Sequence, residues 1–248
     1  MIKFILKAIN QFFIKNSSFI KISIFARIQM ILKEIKYLLG KEILLEWRQK
    51  SALNGMLLYI ISTVFVVYLS FKIVNHPSTW NALFWIIILF ASTNAAAKSF
   101  SRESHSIGLY IYSIANPQAI ILSKIIYNIF LIIALSFITY IFYSLFVGNM
   151  VKDVPMFLLS LFLGGMGFAS VLTLIAAIAS KSGNSFTLMA ILSFPVLLPL
   201  LITLIKISKN AVDGIERSVN YPYMLILLLI NIIVIILSYI LFPYLWRD

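Results

Sequence analysis

Residues 155–179 read PMFLLSLFLGGMGFASVLTLIAAIA. The run carries no charge, and crossing a hydrocarbon core of ~30 Å takes ~20 apolar residues. It is therefore read as a transmembrane helix. Five more runs of the same kind follow from the same criterion, at about Leu53–Ile73, Trp80–Ala97, Ile125–Val147, Ser185–Ile207 and Tyr223–Trp246. The expected fold is all-α, a polytopic membrane protein with six transmembrane helices. Composition agrees: the 248 residues are 62% hydrophobic and 11% charged, whereas soluble domains average ~25% charged residues. Soluble catalytic domains, nucleic-acid modules and disordered tails are excluded as the main business of the chain. With no cysteine, the chain can form no disulfide, thiolate zinc site, iron–sulfur cluster or CxxC pair.

The net charge of +12 sets an orientation. Lys and Arg concentrate on the cytoplasmic side of membrane proteins. Placing the N-terminus in the cytoplasm puts fifteen of the 20 Lys and Arg residues inside, mostly within residues 1–52. Six spans then return the C-terminus to the same side. Trp47, Trp80 and Trp246 fall near the expected interfaces, where belt aromatics sit. Residues 148–154 and 180–184 are tight turns, which makes the helices they join antiparallel neighbours.

Three regions divide the chain. Residues 1–29 form a basic extension with Lys3, Lys7, Lys15, Lys21 and Arg27 and no acid. They show no apolar core or cleavage site of a signal peptide, and Met30 is an alternative start. Residues 30–52 hold a cytoplasmic interfacial amphipathic helix. In it Ile31, Leu32, Ile35, Leu38, Leu39 and Ile43 recur at helical spacing, with Lys33, Lys36 and Lys41 between them. Such a helix lies in the headgroup plane of the lipid. Residues 53–248 form the six-helix transmembrane domain.

Little in the spans suggests catalysis. No GxxxxGK[ST] is present, so this chain cannot by itself hydrolyse ATP by a P-loop. No metal constellation is expected. His76 reads as a turn residue and His105 as a surface or docking residue. Asn94, Asn128, Ser170, Thr173 and Asn231 lie within spans, as helix-packing groups or as a translocation path. Gly164, Gly165 and Gly167 give the fourth span a small-residue surface for close helix packing, within the chain or in a homodimer. Pro195 and Pro199 kink the fifth span, as a hinge or as a static bend. Residues 206–222 read as a short outer amphipathic helix, with Ile207, Ala211, Ile215 and Val219 on one face; it contacts an external partner or caps the bundle.

Residues 98–124 read KSFSRESHSIGLYIYSIANPQAIILSK. Phe100, Ile107, Ile111 and Ile114 share one helical face. Asn116-Pro117 ends that helix, because the residue before proline is pushed out of the α region, and Lys124 opens the third span. This order of Arg102, Glu103, Gly108, Leu109, Asn116, Pro117 and Lys124 resembles the first cytoplasmic loop of ABC-2-type exporter permeases. Further stretches resemble the CcmB family in the form found in Bacteroidetes-like bacteria: Glu42–Lys50 (EILLEWRQK), Asn81–Ser99, Leu188–Pro199 (LMAILSFPVLLP) and Leu241–Asp248 (LFPYLWRD). The resemblance implies an ABC-2-type architecture in a bacterial inner membrane. It implies that residues 102–124 couple to a separate, CcmA-like ATPase. It also implies CcmC-, CcmD- and CcmE-like partners, with heme handled for cytochrome c maturation and ATP held by the partner. An ABC-2 exporter of a lipid, drug or polysaccharide, or a membrane scaffold, are the rival readings.

Overall fold

A computed structural model describes residues 29–48, 50–71, 74, 76–101, 114–181 and 185–245. A lead helix α1 covers 29–48. The helices α2 (Lys50–Phe71), α3 (Pro77–Ser101), α4 (Pro117–Phe146), α5 (Val154–Ala179), α6 (Ser185–Asp213) and α7 (Tyr221–Leu245) follow. All six of these contain a stretch long and apolar enough to cross a membrane.

The opening run, α5, is the centre of the bundle. Its most apolar window is 78% buried, against 22–56% for the other five spans. Helices α3, α4, α7 and α6, in that order, close a ring around it, each touching the next and all touching α5. Helix α2 leans on the outside of this ring against α3 and α4. The centre falls to α5 because its side chains are small enough to admit four neighbours. An ideal Cβ on Gly164 would lie 2.9 Å from the Trp85 ring of α3 and 2.8 Å from Leu204 of α6. One on Gly165 would lie 2.9 Å from Ile133 of α4, and one on Gly167 would be 2.8 Å from Asn231 Oδ1 of α7. The glycines thus pack inside one chain, Gly164 against α3 and α6, Gly165 against α4, and Gly167 against α6 and α7.

Three in-span asparagines make helix-to-helix hydrogen bonds, while the Ser170 hydroxyl donates to the Gly167 carbonyl of its own helix. Asn128 Nδ2 donates to Thr173 Oγ1 at 2.8 Å, and Asn231 Nδ2 to the Leu163 carbonyl at 3.1 Å. Asn81 Nδ2 donates to the Ile205 carbonyl at 3.0 Å. Asn94 is half-buried. Each such bond between membrane helices contributes about 0.6 kcal/mol on average.

The expectation for Trp80 is corrected. It is fully buried, stacked on Phe84 and edge-on to Tyr143, and its Nε1 donates to the Gly148 carbonyl at 2.8 Å. That carbonyl lies in the turn between α4 and α5, where Gly148 takes φ 96°, a left-handed conformation that favours glycine. Trp47 is exposed on α1. Trp246 lies outside the described residues.

The separate outer helix expected over residues 206–222 is also corrected. Helix α6 continues without a break to Asp213. Nothing in the sequence stops it before Gly214, whose φ is 75°. The Ile215 N–H then donates back to the Asn210 carbonyl at 2.9 Å, the long bond of a Schellman cap. A single 3₁₀ turn, Arg217–Asn220, leads into α7. This segment is tied to its own bundle. The Arg217 guanidinium donates to both oxygens of Asp153, at 2.6 and 2.9 Å. Asp153 also caps α5 by accepting from the Met156 N–H.

The Arg217 hydrogen bond holds the Asp153 carboxyl below its ordinary value. A carboxyl depressed by folding stabilises the fold above its unfolded pKa and loses that contribution as the pH falls through the folded value. The pair is largely solvent-exposed, so the effect is modest. The thermal-stability difference between wild type and Arg217→Ala is expected at neutral pH and should vanish in acid below the ordinary carboxylate range. A difference unchanged by pH would show that Arg217 acts through packing instead.

Candidate functional site: a charged clamp under the bundle

All three acids of α1 point the same way. Glu34, Glu42 and Glu46 are eight and four residues apart, which places them on one helical face. Glu42 and Glu46 are buried and Glu34 is half-buried, with Ile35 buried beside them. That face docks on α4. The Asn116 side-chain amide donates to the Glu34 carboxylate at 2.9 and 3.0 Å, and the Asn116 backbone N–H adds a third bond at 3.1 Å. Lys124 Nζ donates to Glu42 Oε1 at 3.2 Å. Tyr127 Oη donates to Glu46 Oε2 at 2.5 Å, a charge-assisted bond of the stronger class.

Helix α3 completes the clamp. Lys124 Nζ donates to the Ser99 carbonyl of α3 at 2.8 Å. The ammonium also sits 4.8 Å from the Phe100 ring centre, within cation–π range. Lys41 adds a second cation 3.4 Å from Glu42. Lys124 is itself 1% exposed, so its charge is compensated by protein groups instead of water.

The local sequence explains the geometry. Pro117 occupies the first position of α4 with Asn116 as its N-cap; proline suits that position because its missing N–H is not needed there. Asn116 makes no capping bond with its side chain, because that amide is turned to Glu34. The helix therefore starts eight residues before the expected Ile125. Lys124, expected at the mouth of the span, lies about two turns inside it and is buried, which corrects that expectation. The apolar positions of α1 divide as well. Ile35 is buried and Leu38 and Leu39 are half-buried, while Leu32 and Ile43 are exposed. The signal missed in the sequence was the spacing of the three acids.

Of the expected coupling residues, the structure brings Asn116, Pro117 and Lys124 together at this clamp. Arg102, Glu103, Gly108 and Leu109 lie outside the described residues, as does His105. Gly164, Gly165 and Gly167 are at the centre of the bundle, far along the chain from the clamp. Pro195 and Pro199 stand inside the continuous helix α6. The His76 side chain is exposed at the opposite end of α3, and its carbonyl accepts from the Trp80 N–H at 3.0 Å. Among the described residues, no group of three or more His, Asp or Glu is placed to hold a metal ion.

A six-span helical bundle with a lead helix keyed to its edge by charge defines a polytopic membrane protein of the permease class. The family model described as CcmB protein matches residues 33–244, from within α1 to the end of α7. The chain belongs to the CcmB family, the membrane subunits of heme exporter ABC complexes in cytochrome c biogenesis. No curated protein and no solved structure gives a significant match.

Proposed function

We propose that this chain relays the work of ATP hydrolysis, performed on a separate CcmA-like ATPase, into the membrane. The result is release of a heme-loaded, CcmE-like chaperone. The chain is a non-catalytic subunit in a bacterial inner membrane with both termini cytoplasmic. CcmC- and CcmD-like proteins are its companions, heme is the handled ligand, and ATP stays on the partner.

The carrying observation is the clamp. Residues 102–113 connect α3 to α4. Lys124 joins α4 to Ser99 of α3, and α1 hangs from α4 by Glu34, Glu42 and Glu46. A displacement of the connecting segment would therefore move α1, α3 and α4 as a unit. Charged contacts suit this role because removing a partner from a buried pair is costly, so the helices stay engaged during motion.

A deletion strain complemented with variants provides the test. The gene is expected to restore c-type cytochromes on a heme-stained gel. Glu103→Lys is expected to leave membrane insertion intact while lowering stimulated ATPase activity and c-type cytochromes at least several-fold. Normal levels of both in that variant remove the coupling role. Persistence of c-type cytochromes in the deletion strain itself removes the heme role and favours export of another substrate. Maturation that survives an ATPase-dead partner in an assembled complex favours a scaffold.

A further inference from the structure

A groove of about 330 Å³ opens where α1 meets α2 and α4. Leu39, Ile43 and Trp47 form one wall, Leu53 the second, and Phe130 and Leu131 the third. Its only polar residues, Glu46 and Tyr127, are bonded to each other. A void of this size is within the range of small-ligand sites, and its lining suits a hydrocarbon chain.

The position and charge of the groove select the occupant. Leu53 begins the apolar part of α2, so the groove starts at the edge of the hydrocarbon layer. Its α1 lining runs from Leu39 to Trp47, about 12 Å at 1.5 Å per residue, and its α4 lining from Tyr127 to Leu131, about 6 Å. With its three acids turned to the bundle, the exposed charges of α1 are Lys33, Lys36 and Arg48, all positive. Lys36 shares an exposed stripe with Ile43 and Trp47, seven and eleven residues on. Cations above an acyl-sized groove complement an anionic headgroup above its chain.

We propose that this groove binds one acyl chain of an acidic phospholipid from the surrounding membrane, with the headgroup phosphate held by the cationic outer face of α1. The site is independent of which species the complex exports. Occupied, it would brace α1 beside the Glu46–Tyr127 bond.

The test is native mass spectrometry of the full chain, released from nanodiscs that contain phosphatidylglycerol and phosphatidylcholine in equal amounts. One phosphatidylglycerol per chain is expected to persist, in preference to phosphatidylcholine. Leu131→Trp, which fills the groove, should abolish retention. Ile43→Trp serves the same purpose if the first variant fails to fold by circular dichroism. Lys36→Gln should cut the preference roughly fivefold, the expected effect of one cation at an anionic surface. Equal retention of the two lipids, or undiminished retention in a folded groove-filling variant, overturns the proposal. So does loss of the bound lipid when partner subunits are added, which would mean that a protein helix fills the groove.

Discussion

Lys124→Met is expected to destabilise the protein by about 3 kcal/mol and to release α1 from the bundle. The reason is what the substitution leaves behind. Methionine matches the length of the lysine stem, so packing changes little. The Glu42 carboxylate loses its 3.2 Å partner while 5% exposed, and the Ser99 carbonyl loses its donor. Breaking a buried ion pair from one side costs about 3–5 kcal/mol. Lys41, 3.4 Å from Glu42, keeps the value at the lower end. Thermal unfolding of the purified chain in mild detergent gives the number. Accessibility of a cysteine in the Ile35→Cys variant, at a position buried while α1 is docked, reports whether α1 has lifted. The double variant Lys124→Met with Glu42→Gln should recover much of the loss, since replacing both members of a buried pair is often close to neutral. If the single variant is as stable as wild type, or the double variant is the worse of the two, the clamp is not an electrostatic one. Tyr127→Phe deletes the bond to Glu46 and should cost less than the lysine change.

Gly167→Ala is the second change with a large expected effect. Its new methyl group would fall on Leu200 Cδ1, well inside van der Waals contact, and 2.8 Å from Asn231 Oδ1. Leu200 is fully buried and Asn231 is held by its bond to the Leu163 carbonyl, so neither side chain has free space to retreat into. Either α6 or α7 must move away from α5. Overpacking of this kind costs about 1–3 kcal/mol. Gly40→Ala is the matched control. Nothing lies within 4 Å of its ideal Cβ, and exchanging glycine for alanine inside a helix stabilises by about 1 kcal/mol. The two substitutions should therefore shift the unfolding temperature in opposite directions. Combining Gly167→Ala with Leu200→Ala should relieve the clash in part. Equal effects at both glycines would show that helix propensity, and not the approach of α6 and α7, dominates at position 167.

Much of the membrane topology was legible because the bilayer is a one-dimensional filter. A span must be long and apolar whatever it packs against, so all six could be counted along the chain. Their ends were less legible. A charged residue reads as a boundary, and Lys124 therefore suggested the mouth of a span. In the fold it lies inside, because Glu42 and the Ser99 carbonyl of α3 arrive to compensate it. Pro117, at the true start, was read as a helix stop alone, although the same residue that ends one helix can begin the next. Trp80 fell at an interface by sequence position, but Gly148 from another turn supplies a partner for its indole N–H and draws it inward.

The candidate site divides along the same line. Asn116, Pro117 and Lys124 stood out by their order, whereas Glu34, Glu42 and Glu46 did not, although their spacing was present in the sequence. Acids on a helix ordinarily mark a solvated face, and only the approach of α4 turns these three inward. The sequence by itself determined the class of protein, the six crossings, the lead helix and the small-residue surface of α5, since each depends on local composition and period. The tertiary structure alone decided which helix sits at the centre, which way each glycine faces, and which charges meet. Those are relations between segments distant in the chain, and a pairing such as Glu42 with Lys124 has no energy until the fold removes both from water.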